Sequence, residues 1–323
     1  MAGVLMPHHP NMKYLIAGHI PGIEMEWGFL TSGSKPWHLA YNYPVWGVSL
    51  NLYNLRSPYL GNAAAARVFY DLPLNPKKSL GLKMEIGAAY IQKPFNLETN
   101  FHNSAIGSHI NAALALSLYS RINVGDKWNL KPGIGIHHFS NGAFTIPNSG
   151  INLAMLKMAL TYSPSGFKSI PGEKPIFEKE NHQWLIGTSG GMKQIPPIGS
   201  KRHPVINVFG IWQKRISQKS SLGAELGINY NASLSIRSSD PVQNKTQYNS
   251  RLYAAAVYQL HFDPLAIRLQ AGSYLFPQFT ADGWMFFRYH LVYNTPKWQY
   301  FAGLKSHFAK ADNIEVGIAY KLQ

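Results

Sequence analysis

The stretch "LKMEIGAAY", residues 82–90, decides the fold. Leu82, Met84, Ile86, Ala88 and Tyr90 fall on one side of an extended chain; Lys83, Glu85 and Gly87 fall on the other. Successive side chains of a strand point to opposite faces, whereas a helix brings every third or fourth residue to one face. Strict alternation therefore predicts a strand with one apolar and one polar face. The pattern returns at 285–293, where Met285, Phe287, Tyr289, Leu291 and Tyr293 alternate with Phe286, Arg288, His290 and Val292. It returns again at 314–322, where Ile314, Val316, Ile318, Tyr320 and Leu322 alternate with Glu315, Gly317, Ala319 and Lys321.

Working outward, similar segments lie at 46–56, 61–73, 79–93, 108–124, 128–140, 150–163, 182–195, 203–217, 221–236, 248–262, 265–276, 283–294, 297–309 and 313–322. Turn signals such as LNPKKS, NVGDKW, SQKSS, HFDPL and YNTPK separate many of them, and longer polar loops fall at 94–107, 141–149, 237–247 and 277–282. In the C-terminal half, short and long connections largely alternate, as in a transmembrane outer-membrane barrel. The connection 164–181 breaks this rhythm, being long where a short turn is due. The expectation is an all-β, antiparallel transmembrane barrel of about 14 strands, between 12 and 16. Residues 36–323 form it; residues 1–35 precede or plug it as a periplasmic or plug-like segment. Trp27, Trp46, Trp128, Trp184, Trp212, Trp284 and Trp298 lie mostly near segment ends, as an interfacial aromatic girdle requires. A soluble β-sandwich also alternates, but the scarcity of charge favours the barrel.

Charged residues make up only 14% of the 323, well below the usual quarter of a soluble domain. Cysteine is absent, which excludes disulfides and thiolate metal sites. The net charge of +15 suits a polyanionic partner, nucleic acid or an anionic lipid surface. Lys and Arg are dispersed rather than clustered, which disfavours nucleic acid. No run is long enough for a membrane helix. The N-terminal MAGVLMPHHPNMKYLIAGHIPG lacks a clear signal peptide, because His and Pro break its apolar runs. An outer-membrane barrel needs export, so a truncated or misassigned start is expected.

The chemistry concentrates in "HHFSNGAFTIPNSGIN", residues 137–152. Trp128, Leu130, Pro132, Ile134, Ile136, His138 and Ser140 share one strand face, apolar until its last two members. On the next strand Asn152 joins Ala154, Leu156, Met158, Leu160 and Tyr162 on the equivalent face. Three polar side chains thus converge on a patch that faces lipid, where they are costly without a use. Ser140 lies about 40 Å along the strand from Trp128, or ~28 Å of height after tilt, near the outer-leaflet ester bonds. Ser140 could attack an ester carbonyl once His138 accepts its proton. Asn152 could orient His138. Backbone N–H groups of Asn141 and Gly142 are the candidate oxyanion hole.

This segment resembles the active site of the PagL family of lipid A deacylases, in His138, Ser140, Asn141, the small pair Gly142-Ala143, Pro147-Asn148 and Gly150-Ile151. The resemblance implies a Ser-His-Glu triad on an outer-membrane barrel smaller than this chain suggests. Asn152 stands where that family has Glu; an amide orients an imidazole but cannot stabilise an imidazolium as a carboxylate does. The segment also resembles the outer-membrane phospholipase A family in His138, Ser140, Asn141 and Gly142, and there the triad position is Asn, as at Asn152. That family implies calcium and dimerisation, yet 141–151 contains no Asp or Glu, and a hard cation prefers carboxylate oxygens. The Pro-Asn-x-Gly-Ile portion favours the deacylase family.

Other signals have plainer readings. His137 points to the lumen, and Arg288, His290, Lys305 and His307 are lumen-facing polar residues, although the basic excess could also contact lipid A phosphates. His8-His9 is too sparse for a metal site, and the glycosylation-like Asn231-Ala-Ser and Asn244-Lys-Thr read as loop residues. The sequence thus reads as a serine-type lipid ester hydrolase of the bacterial outer membrane. Its partner is lipid A, or lipopolysaccharide, in the outer leaflet. No cofactor or metal is implied, and the oligomeric state is open. The alternatives are an outer-membrane phospholipase A and a catalytically silent porin-like barrel.

Overall fold

The structure, a computed structural model, describes residues 1–167, 182–275, 282–308 and 310–322. Alternation becomes strand throughout, in two compact units. One comprises Met1–Asn141 and Pro147–Pro175, the other Gly142–Ile146 and Ile176–Gln323.

The strands of the first unit are β1 (Ala2–Leu5), β2 (Ile20–Leu30), β3 (Val45–Asn54), β4 (Asn62–Pro73), β5 (Leu80–Ile91), β6 (Ile110–Ser120), β7 (Ile122–Asn123), β8 (Trp128–Ser140) and β9 (Ile151–Tyr162). All pairings are antiparallel. β6 pairs with β8, and β1 pairs with both β9 and β2, so the sheet closes on itself. β7 continues β6 along β8, leaving eight strands in the ring. The second unit holds β10 (Gln183–Gln194), β11 (Arg202–Arg215), β12 (Ser220–Asn231), β13 (Ser250–Phe262), β14 (Leu265–Leu275), β15 (Met285–Asn294), β16 (Trp298–His307) and β17 (Lys310–Leu322). Here β10 pairs with β17 and closes a second ring of eight.

The all-β antiparallel barrel is as expected, but its partition is not. Each of the fourteen expected segments coincides with strand, yet they close into two rings instead of one. The long connection 164–181 joins the two rings, and most of it, 168–181, lies outside the described residues. The expected loop 277–282 likewise falls almost wholly outside them.

Residues 1–35 are not a separate segment: they supply β1 and β2. Ile23, Met25, Trp27 and Phe29 of β2 point outward and are exposed, while β2 pairs with β3 from Gly22 opposite Tyr53 to Leu30 opposite Val45. The short 3-10 turn Pro10–Leu15 between them buries Met12 and Leu15 in the first unit's core, with Leu60, Ala105 and Ile106.

An eight-strand ring leaves an interior that side chains fill. Charges placed there must be paired, because an unpaired buried charge is strongly unfavourable. In the first ring Lys83 bonds Glu24 and Glu26, and Lys157 lies 2.7 Å from Glu24. Asp71 accepts from Lys131 at 2.8 Å. In the second, Arg288 reaches Glu225 at 2.7 Å and Glu315 at 3.2 Å, and His290 meets Glu315 at 2.7 Å. Arg288, His290, Lys305 and His307 are all buried, as lumen residues should be. β1 spans only four residues, so β2 beyond Gly22 and β9 beyond Leu156 flank a cavity of about 1000 Å³ lined by Glu26, Asp71, Lys131 and Lys157.

Candidate active site

Three elements of the first unit build the site: β8, the β9 strand that follows it, and the chain leaving β1. Strand pleating sends His137 inward and His138 outward. His137 is fully buried, its Nδ1 2.7 Å from the Tyr53 hydroxyl, which also accepts from Arg67 at 3.0 Å. It is a lumen residue. His138 shares its outward face with Ile134 and Ile136, both more than half exposed.

In the β8–β9 ladder His138 lies directly opposite Asn152. Cross-strand partners are close enough for their side chains to touch, and these do: His138 Nδ1 is 2.6 Å from Asn152 Oδ1. The other imidazole nitrogen, Nε2, is 2.9 Å from Ser140 Oγ. Ser140 is two residues along the same strand, hence on the same face, and is buried where the chain turns away. The structure therefore brings Ser140, His138 and Asn152 into one hydrogen-bonded line. The amide oxygen can only accept, so Nδ1 carries the proton and Nε2 is free to take one from the serine. This is the order in which a nucleophile, a base and an orienting group would stand for acyl transfer.

The backbone amides fare differently. The N–H of Asn141 donates to Asn148 Oδ1 at 3.0 Å. In this structure that N–H is engaged within the loop, and serving an oxyanion would require it to exchange this partner. Gly142 has φ of +61°, the left-handed region that glycine enters without strain. The Asn141 side chain is tied to Ser108 Oγ at 2.8 Å. Gly150, at φ +81°, donates its N–H to Ala105 O at 2.9 Å. A Cβ there would stand 3.0 Å from His138 Cε1. The glycine leaves room for the imidazole.

Two neighbours escaped the sequence reading. Asn148 was visible only as part of a resemblance, with no chemical role. His8 reaches the site because β1 pairs with β9 and the Met6 N–H bonds the Asn152 carbonyl at 2.8 Å. His8 Nδ1 lies 3.1 Å from Asn152 Nδ2, and its Nε2 lies 2.6 Å from the Ser149 carbonyl. No local signal joins residues so far apart in the chain; only strand pairing does.

One grouping in the second unit has the donor types of a metal site: Asp282, His307 and Asp312, with ligand atoms within 4.8 Å of one another. Its carboxylates are already occupied by cations, Asp312 by Lys193 and Asp282 by Arg237 at 2.7 and 2.8 Å.

The sequence model of the family "Lipid A 3-O-deacylase (PagL)" matches residues 22–161. The chain belongs to this family. A second model, "Acyloxyacyl hydrolase, C-terminal domain", matches residues 182–323. The first match runs from β2 through nearly all of β9, and the second takes in β10 to β17, so the boundary between the matches falls between the rings. Membership makes the chain a relative of ester hydrolases that act on lipid A. A search of curated protein sequences found no match. Among solved structures, a KdgM porin is similar with a TM-score of 0.21 and 7% identity, over 81% of this chain and 94% of that one. An FrpB iron transporter from Neisseria meningitidis (F3-3 variant) gives a TM-score of 0.22 and 7% identity, over 94% of this chain and 63% of the other.

Proposed function

We propose that the chain is an outer-membrane lipid A deacylase in which Ser140 is the nucleophile, His138 the general base and Asn152 the group that orients it. The observation that carries this is the line from Ser140 Oγ through His138 to Asn152, at 2.9 and 2.6 Å, on the outward face of a barrel. Ser140 Oγ attacks the ester carbonyl while its proton passes to His138 Nε2. The Gly142 N–H faces the developing oxyanion. Collapse breaks the bond to the sugar oxygen, which leaves with the proton held by His138. Water then enters, gives a proton to the same nitrogen and attacks the acyl-serine, releasing a fatty acid.

The surfaces support a membrane setting. Outward positions are apolar and exposed, as at Ile23, Leu52, Leu156, Leu226 and Val316, each at least 60% exposed. Inward positions hold charges that are fully buried. A protein soluble in water has the reverse arrangement, whereas a transmembrane barrel has this one. A patch of this extent in water would be an aggregation liability. The reacting atoms would then meet the ester bonds of outer-leaflet lipid without the lipid leaving the bilayer.

The test is mass spectrometry of lipids after incubation with the refolded protein and its Ser140→Ala variant. Lipopolysaccharide and phospholipid are offered separately, with and without chelator. The expected result is loss of one acyl chain from lipid A, indifferent to chelator, and a decrease on the order of 10⁴-fold or more in the variant. Cleavage of phospholipid alone, dependent on a divalent cation, would transfer the site to the phospholipase reading. Deacylation undiminished in Ser140→Ala would overturn the nucleophile.

A further inference from the structure

We infer that His8 is a fourth member of the catalytic line, a positioning residue that fixes which way round the Asn152 amide lies. The inference rests on the triad reading above and adds to it a residue outside the 22–161 family match.

The argument starts at an atom that has no choice. The Ser149 carbonyl oxygen can only accept, and it lies 2.6 Å from His8 Nε2. In a neutral His8 the proton is therefore on Nε2, which leaves Nδ1 as an acceptor. Nδ1 faces Asn152 Nδ2 at 3.1 Å, so the amide presents its NH₂ to His8 and its oxygen to His138. That oxygen, 2.6 Å from His138 Nδ1, requires the proton there and leaves Nε2 as a bare acceptor for Ser140. One carbonyl thus sets the direction of every hydrogen bond through to the nucleophile.

The need arises because Asn152 is an amide, not a carboxylate. The two oxygens of a carboxylate are equivalent, and either one keeps the base in its working tautomer. An amide has two unlike ends. Turned over, it would offer NH₂ to His138 Nδ1, force the proton to Nε2 and leave the serine without a base. A wrong tautomer is costly: in the serine protease triad, replacing the Asp by Asn lowers turnover about 10⁴-fold for this reason. His8 makes the amide orientation unequal in energy, since the turned-over state sets an amide oxygen against the lone pair of Nδ1. It does not touch the reacting atoms.

The experiment compares turnover on lipid A for His8→Ala and His8→Gln, alone and combined with Asn152→Asp, with Ser140→Ala as the control. Circular dichroism checks that each variant is folded. A glutamine at position 8 can accept from Asn152 and donate to Ser149 as the imidazole does. The expected result is a kcat lowered about 10- to 100-fold in His8→Ala with KM unchanged, substantial recovery in His8→Gln, and a loss at least about fivefold smaller when Asn152→Asp is already present. The ¹⁵N shifts of His138 should move from the Nδ1-protonated tautomer toward a mixture in His8→Ala. Full activity in His8→Ala, or an equal loss with and without Asn152→Asp, would overturn the positioning role while leaving the triad intact. Activity retained in Ser140→Ala would overturn both readings.

Discussion

The two rings of this chain are built to the same rule and carry different contents. Each has eight antiparallel strands, an apolar outside and an inside of paired charges. In the second ring the buried strand histidines, His261, His290 and His307, all sit on the inward side. There Glu225, Arg288 and Glu315 make an unbroken ionic line. In the first ring His138 is turned outward, and a serine and an asparagine meet it. The lesson is that ionisable groups inside such a ring pair with one another, whereas the line of Ser140, His138 and Asn152 stands on the outer face, apart from those pairs. The position of a residue relative to the wall is a better guide to its role than its type.

Mutations that separate the two tasks test this contrast. The largest effect on stability is expected inside the second ring. Arg288→Ala would leave Glu225 and Glu315 without their shared cation, at a cost of about 3–5 kcal/mol. Urea unfolding in detergent should show this, while turnover per folded molecule stays at the wild-type value. A drop in turnover would blur the division of labour. Next in size is a change beside the site. Gly150→Ala adds a Cβ 3.0 Å from His138 Cε1 on a backbone at φ +81°. It should lower kcat about tenfold by displacing the imidazole and cost about 1 kcal/mol in folding; an unaltered kcat would mean that the loop yields.

The smallest expected effect concerns a loop ion pair of the second unit. Burial, the largest single influence, raises the Asp282 carboxyl, but the hydrogen bonds from Arg237 together with the charges of Lys193 and Arg237 outweigh it and hold the group below its ordinary range. A carboxyl depressed in the folded state stabilises above its unfolded pKa and loses that contribution as pH falls through the lower folded value. Arg237→Gln should therefore cost about 1 kcal/mol or less at neutral pH, the pair being partly exposed. The gap from wild type should narrow at strongly acidic pH. A gap that persists in acid would mean that Arg237 acts through packing instead.

Much of this was legible in the chain. Alternation located fourteen segments of strand, because the side-chain period is a local property. It also put His138, Ser140 and Asn152 on one face, because parity along a strand is local and their two strands are consecutive. Closure was not legible. Two rings of eight and one larger ring give the same alternation, and only long-range pairs such as Gln183–Gln194 with β17 distinguish them. The interrupted rhythm at 164–181 was the available sign, and it marked the join between the rings. β2 was missed although Ile23, Met25, Trp27 and Phe29 alternate with Glu24 and Glu26; its place in the N-terminal segment outweighed its pattern. The bond from the Asn141 amide to Asn148 was not foreseen, because it is reached through the fold of the loop. His8 was dismissed as half of a sparse pair, since pairing of β1 with β9 leaves no trace near residue 8.

The neighbours His137 and His138 show what the pleat of β8 entails. They differ by one step along the chain, yet one is sealed against Tyr53 inside the ring and the other stands between Asn152 and Ser140 outside it. The location of the chemistry is thus encoded as an odd-or-even count. Deleting or inserting one residue between Trp128 and His138, with the strand otherwise kept in register, would exchange the two histidines and turn the active site inside out, while a change of two would preserve it. Only an even change in the length of this strand would keep His138 on the outer face, and the ring of hydrogen bonds acts as the counter.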